Sequence, residues 1–447
     1  MGHDPDRQRR DFRAMVGDGV AFSVMVGVGE TYLSAFALAA GLGELAAGLV
    51  ATLPLLAGAL LQLATPVGVR HLGSYRRWVV ACARLQALCF LPLIAGALAG
   101  RIPLAVVFAA AAAYWGFGMA TGPAWNAWVE SLVSREVRAR FFARRARLAQ
   151  AALFASILAG GGCLSLGASP QEPLRIFALV FGIAACARLV SSAFLAAQSE
   201  PPGLAAQLRL LPARQVLATL TRGAEGRLLA YLLTMQAAVH LAAPFFTPYM
   251  LGPLGLSYGG FTILTGASFL ARIAALPWIG RIAQHRGTRR VLWVGALGTC
   301  PLPALWLVSD SFAYLLGLQL LAGTAWAALE LATLLSFFES IGQRERASLL
   351  TAYNLANAIA LALGSAAGGL LFRSLGGLPA AYAALFLLST GSRLLCLGLL
   401  RRVSSLPPGP HSLVPRTLAV RPSLGAIQRP VLASLAEGDD PPEPRRP

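Results

Sequence analysis

The chain has 447 residues, 56% of them hydrophobic and only 13% charged, with a mean hydropathy of +0.64. Soluble domains carry about a quarter charged residues, so a composition this apolar along the whole length points to an integral membrane protein. The net charge of +18 comes from arginine without a single lysine, so the Gly-Lys-Ser/Thr of a phosphate-binding loop cannot be built, and ATP hydrolysis of that kind by this chain alone is excluded.

The first residues, "MGHDPDRQRRDFR", are polar and lead into a long apolar run, so 1–13 reads as a cytoplasmic lead-in rather than a cleaved signal peptide. A helix needs about 20 apolar residues to cross the hydrocarbon core. Twelve stretches qualify: 15–40, 45–67, 78–99, 103–129, 148–168, 174–197, 227–251, 257–280, 290–309, 312–337, 349–372 and 378–400. They are continuous runs rich in Ala, Leu and Gly rather than short alternating segments, which argues against a β-barrel. The organisation that follows is a six-helix bundle over 14–197, a cytoplasmic middle loop over 198–226, a second bundle over 227–400, and a tail over 401–447. That tail is rich in Pro, Arg and acid and is expected to be disordered.

With the N-terminus inside, the loops on its side and the two termini hold thirty arginines, whereas the opposite loops hold only Arg101, Arg175 and Arg373. This is the positive-inside pattern, with both termini cytoplasmic and a cytoplasmic (inner) membrane location. Topology thereby accounts for the basic excess, and nucleic acid is not expected as a partner. The six cysteines are scattered through apolar stretches with no Cys-x-x-Cys and no neighbouring His. Neither a disulfide framework nor a metal site follows, and no cofactor is expected. No His-Glu-x-x-His or Ser/His/Asp set stands out either, so the chain does not read as an enzyme.

The chain also repeats itself. After stretch 2 it reads "VGVRHLGSYRRWVV" and after stretch 8 "GRIAQHRGTRRVLWV"; stretch 4 ends on "ESLVSREVRA" from Glu130 and stretch 10 on "ESIGQRERAS" from Glu339. These echoes, together with "ARLV" at Arg188 and "SRLL" at Arg393, make two six-span halves in the same orientation.

This layout resembles the major facilitator superfamily, whose signature turn is G-x-x-x-D-R-x-G-R-R. In the second half Gly280, Gly287, Arg289 and Arg290 match it, while Gln284 stands at the acidic position and His285 at the first Arg. In the first half Gly73, Arg76 and Arg77 match, with Arg70 and His71 at the other two places. The resemblance covers roughly 14–400 and implies an all-α fold of twelve transmembrane helices, with stretches 1, 4, 7 and 10 lining a central cavity. Its turns would work as gates, with Glu130 and Glu339 as ion-pair partners on the cytoplasmic side. The missing acid bears on the family's usual latch between the halves.

Charge inside a bilayer is costly and marks function by default. The binding or proton-carrying candidates are Glu30, Tyr32, Trp115, Asn126, Gln236, His240, Arg272, Trp326 and Glu330. Glu30 or Glu330 would carry a proton, because desolvation favours the neutral carboxyl. The competing reading pairs each acid with an intramembrane arginine, for which Arg84, Arg188, Arg272 and Arg393 are available. Arg188 and Arg393, near the cytoplasmic ends, are expected to snorkel or brace. The function expected is that of a monomeric, proton-coupled secondary transporter of a small organic molecule, amphipathic or cationic, with efflux as the direction. The alternative is a membrane receptor or partner-binding protein that kept the fold without transport.

Overall fold

The structure is a computed structural model that describes residues 5–133, 135–166, 172–204, 223–340, 346–376 and 379–401. The tail expected to be disordered and most of the middle loop lie outside the described residues.

Every regular element among the described residues is helical. Among the described residues, eleven helices are long and apolar enough to cross a membrane. Spans 1 to 6 are Asp6–Ala39, Glu44–Leu63, Tyr75–Leu98, Leu104–Val129, Arg144–Ser165 and Leu174–Ala197. Spans 7, 8, 10, 11 and 12 are Gly226–Leu251, Tyr258–Ala283, Phe312–Thr333, Tyr353–Ser374 and Ala380–Arg401. Span 9 is present but divided, as helices Thr288–Thr299 and Leu302–Leu305. The division falls at Cys300-Pro301, where a ring without an N–H breaks the helical ladder, and Pro303 follows at once. The expected N-terminal lead-in is itself helical, since span 1 belongs to a helix that begins at Pro5.

The packing repeats as the sequence does. In the first half span 1 packs on spans 5 and 6, span 4 on spans 2 and 3; in the second, span 7 packs on 11 and 12, span 10 on 8 and 9. The halves meet along spans 5 and 8 and along spans 2 and 11, which are the same pairing under the repeat. Even the helix breaks recur. Span 3 breaks at Cys89 and span 9 at Cys300. Span 1 is interrupted by a 3₁₀ turn at Glu30–Tyr32, and span 7 by one at Ala243–Phe245. A mid-helix 3₁₀ turn is a common hinge. Its occurrence at matching places gives spans 1 and 7 separately placed outer segments, Leu33–Ala39 and Phe246–Leu251.

We call the face holding the start of span 1 and the turns after spans 2 and 8 the near face, and the opposite one the far face. At the far face the outer segments of spans 1 and 7 pack together and the start of span 2 packs on both span 7 and span 11.

Candidate functional site

Two of the second-half candidates meet between spans 7 and 10. Gln236 and Trp326 are 6% and 7% exposed. They line a narrow cleft with Leu232, Met235, Val239, Leu329 and Thr333. The side-chain carbonyl oxygen of Gln236 is buried without a hydrogen-bond donor. One turn on, His240 is buried and its Nδ1 lies 2.9 Å from the main-chain oxygen of Gln236. Glu330 lies one turn beyond Trp326 on span 10 and is paired with Arg272 of span 8. Arg272 Nη1 is 3.0 Å from Oε1 and donates to Oε2 at 3.2 Å, with side-chain exposures of 13% and 21%. The pair is thus neither sealed in the bundle nor fully wet. Gly323, two turns earlier, lets span 10 approach span 8 closely, since a β-carbon there would overlap the Ser268 carbonyl.

The first-half candidates do not form a matching cluster. Glu30 sits on the 3₁₀ turn of span 1 and accepts a 2.9 Å hydrogen bond from the Tyr114 hydroxyl. It faces a small apolar cleft between spans 1, 3 and 4, with Phe90 and Leu93 among its walls. Trp115 is buried on span 4, edge-on to Tyr114, with its backbone against Gly58 of span 2. Asn126 is half-buried on span 4. Tyr32 is fully buried, and its hydroxyl donates to the Ile157 carbonyl at 2.5 Å and lies 3.1 Å from Thr262 Oγ1. Thr262 belongs to span 8, so Tyr32 ties the halves together at the far face. A second tie there is the 2.6 Å hydrogen bond from Tyr382 of span 12 to Glu44 of span 2.

Sequence reasoning passed over Asp18 and counted Arg145 with the cytoplasmic-side arginines, two of the most deeply buried charges. Asp18 of span 1 is fully buried and ion-paired at 3.2 Å with Arg145, itself 1% exposed. Arg145 also donates to the Met15 carbonyl and lies over the Trp125 ring, 4.6 Å from its centroid. Ser191 donates to the other Asp18 oxygen at 2.7 Å, and Arg188 donates to Ser191 at 2.9 Å while stacking over Phe22. Arg145 therefore does not belong with the loop arginines of the near face. Arg188, expected to snorkel or brace, has no exposed surface and braces span 6 to span 1. Its counterpart Arg393 braces span 12 by donating to the Thr299 carbonyl at 2.8 Å beside the break in span 9. The signal available in the sequence was an acid flanked by two glycines, "GDG", inside an apolar run.

Of the gating candidates, Gly73 caps its helix at φ 61°, a left-handed conformation that favours glycine, and Gly287 has φ 84°. Ser74 then caps span 3, accepting from the Arg77 N–H. The acid absent from the first turn is supplied by Glu200, just past span 6. It accepts from the Tyr75 N–H at 2.7 Å, from the Arg76 N–H at 3.4 Å and from the Ser74 hydroxyl. A carboxylate at a helix N-terminus complements the unpaired N–H groups and the dipole. The neighbouring residues complete a staple: Arg76 donates to the Gln198 carbonyl, Trp128 to the Ser199 carbonyl, and Ser199 to Asp11. This joins spans 1, 3, 4 and 6 at the near face. Arg70 and His71 end the helix before Gly73 and are exposed, as are Arg289 and Arg290 after Gly287. Gly280 is buried within span 8; Gln284, Glu130 and Glu339 lie on helices, but their side chains are outside the described residues. Replacing Glu200 with glutamine is expected to cost about 1–2 kcal/mol of unfolding free energy, from the lost cap and dipole contacts. Chemical unfolding of the purified protein checks it, and no change would dismiss the staple as a stabilising device.

Residues 227–436 match the family model described as Major Facilitator Superfamily. No curated protein matches the sequence significantly. Among solved structures, the nucleoside transporter NupG is similar at a TM-score of 0.66 and 11% identity, covering 89% of this chain and 100% of that one. A bacterial homologue of the iron transporter ferroportin in its inward-facing state is similar at 0.63 and 14% identity, over 91% of this chain and 100% of that one. Its outward-facing state with soaked iron scores 0.56 at 16% identity, over 89% and 99%. The match in the second half and the fold shared along nearly the whole chain bear out the resemblance read from the signature turns.

Proposed function

We propose that this chain, a multi-pass membrane protein of the major facilitator superfamily, is a secondary active transporter that moves a small organic molecule by alternating access. The observation that carries the reading is the seal at the far face between two pseudo-symmetric halves. Tyr32 with Thr262 and Tyr382 with Glu44 join the halves at the far face, where the outer segments of spans 1 and 7 also meet. Hydrogen bonds between membrane helices are worth only about 0.6 kcal/mol on average, so such a seal can open and re-form. The closer match to an inward-facing relative than to its outward-facing state supports the same conformation. With the near face taken as cytoplasmic, from the arginine distribution, the sealed far face is the outer one.

In this reading the Arg272–Glu330 pair couples transport to protons. Protonation of Glu330 frees Arg272, and the loss of the pair changes how span 8 sits on span 10, next to the seam with span 5.

Purified protein in liposomes loaded with a pH-sensitive dye tests the reading against a compound library. Some compound gradient is expected to drive proton movement through the wild type, and Glu330→Gln is expected to lower that proton flux at least tenfold while leaving compound exchange. Proton flux unchanged in Glu330→Gln would overturn the coupling. No movement of any compound would overturn transport.

A further inference from the structure

We propose that the outer face of span 3 is a binding site for one anionic phospholipid of the near leaflet, held at its headgroup phosphate by Arg84 with Arg77. Of the arginines available to pair an intramembrane acid, Arg188, Arg272 and Arg393 make hydrogen bonds within the bundle. Arg84 instead is exposed, with no hydrogen bond or ion pair among the described residues. Span 3 starts at Tyr75 on the near face, so Arg84 lies about 13 Å along its axis, within the near half of a hydrocarbon core about 30 Å thick. Leu88 and Leu91, one and two turns deeper on the same face, are exposed as lipid-facing residues are. Arg77 is exposed two turns nearer the surface.

A charge at that depth is costly unless it reaches polar groups. Side chains on a helix lean toward its N-terminus, which for span 3 is the near face, so Arg84 snorkels toward the near headgroups. There a guanidinium fits a phosphate in bidentate geometry. Glu200, at the start of the span, is already engaged with Ser74 and the N–H groups of Tyr75 and Arg76. Two cations on one face therefore favour a headgroup of net negative charge over a zwitterionic one. A second copy of this chain has no acid to offer at that depth: the exposed acids among the described residues are Asp6, at the start of span 1, and Asp310, before span 10.

A bimane on Leu88→Cys, in a background without the six native cysteines, reads the site locally in phosphatidylcholine proteoliposomes of the full chain. A minor fraction of nitroxide-labelled phosphatidylglycerol is expected to quench it at least about fivefold more than the same fraction of labelled phosphatidylcholine, the scale of one basic side chain at an anionic lipid. The two lipids are expected to quench alike at Leu363→Cys, an exposed position on span 11 with no arginine within two turns of its helix. Arg84→Leu, which suits a lipid-facing position, is expected to abolish the preference at Leu88, Arg77→Gln to lower it and Arg84→Lys to keep it. The contrast between the two positions with Arg84 in place decides the matter even if a variant does not fold. Water-soluble glycerol phosphate separates a lipid site from a site for free phosphate, and is expected to leave the preference unchanged. Equal quenching by the two lipids at Leu88, the same preference at Leu363, or a preference that survives Arg84→Leu would overturn the proposal. So would its displacement by glycerol phosphate, or protection from both lipids, which would mean that another protein chain covers the face.

Discussion

Asp18→Asn is expected to lower the unfolding free energy by about 3–5 kcal/mol, the range for removing one partner of a buried ion pair. The carboxylate is the acid that Arg145 pairs with and the acceptor of the Ser191 hydrogen bond that links in Arg188. Taking its charge away leaves two fully buried guanidinium groups facing one another's field. The rings of Trp125 and Phe22 beneath them offer about 0.5–2 kcal/mol each and cannot compensate. Since Asp18, Arg145 and Arg188 sit on spans 1, 5 and 6, the loss is a loss of the whole first bundle rather than of one contact. The double variant Asp18→Asn with Arg145→Met is expected to recover part of the stability, because breaking a buried pair costs more than replacing both partners with apolar groups. Denaturant unfolding in detergent reads both. A single-variant loss below about 1 kcal/mol would show that the pair contributes little there.

The second large effect concerns the seam between the halves. Gly161 of span 5 lies so close to span 8 that a β-carbon on it would overlap Thr262, and its neighbour Gly160 lies against the Tyr32 ring. Neither atom set is the free end of a long side chain, so the clash has no cheap relief. Gly161→Leu is therefore expected to wedge the far face open. A cysteine introduced at Leu45, which in the sealed state packs near Gly369 across the other seam, reports this. In a background without the six native cysteines, its reaction with a membrane-impermeant thiol reagent from the far side is expected to speed up at least about tenfold in Gly161→Leu, corresponding to a shift of about 1.4 kcal/mol or more. Unchanged protection would mean that the seam accommodates the leucine.

The fold was legible because its signals are long and redundant. Each span carries about 20 apolar residues, arginine marks one side, and the signature turns recur about 210 residues apart. Span 9 was legible as an apolar stretch and not as a broken helix, although Pro301 and Pro303 were in view, because hydropathy ignores the backbone. The 3₁₀ turns at Glu30 and Ala243 were invisible for the same reason. Side-chain pairing was only partly legible. Arg272 and Glu330 could be named as possible partners, since both lie deep in their spans. Asp18 was passed over and Arg145 was counted with the loop arginines because each lies toward the start of its apolar stretch, where a charge ordinarily meets water, and only tertiary packing buries them. Glu200 was passed over because a loop acid has no position until the chain folds it back on span 3.

Two spin-label distances test the central claim of alternating access most directly. One pair, at Leu166 and Leu375, spans the halves at the far face; the other, at His71 and His285, spans them at the near face, and all four sites are exposed. The account predicts a short far-face and a long near-face distance in the otherwise wild-type protein, with both inverted by Gly161→Leu. Far-face and near-face distances that stay fixed, or that lengthen and shorten together, would contradict it.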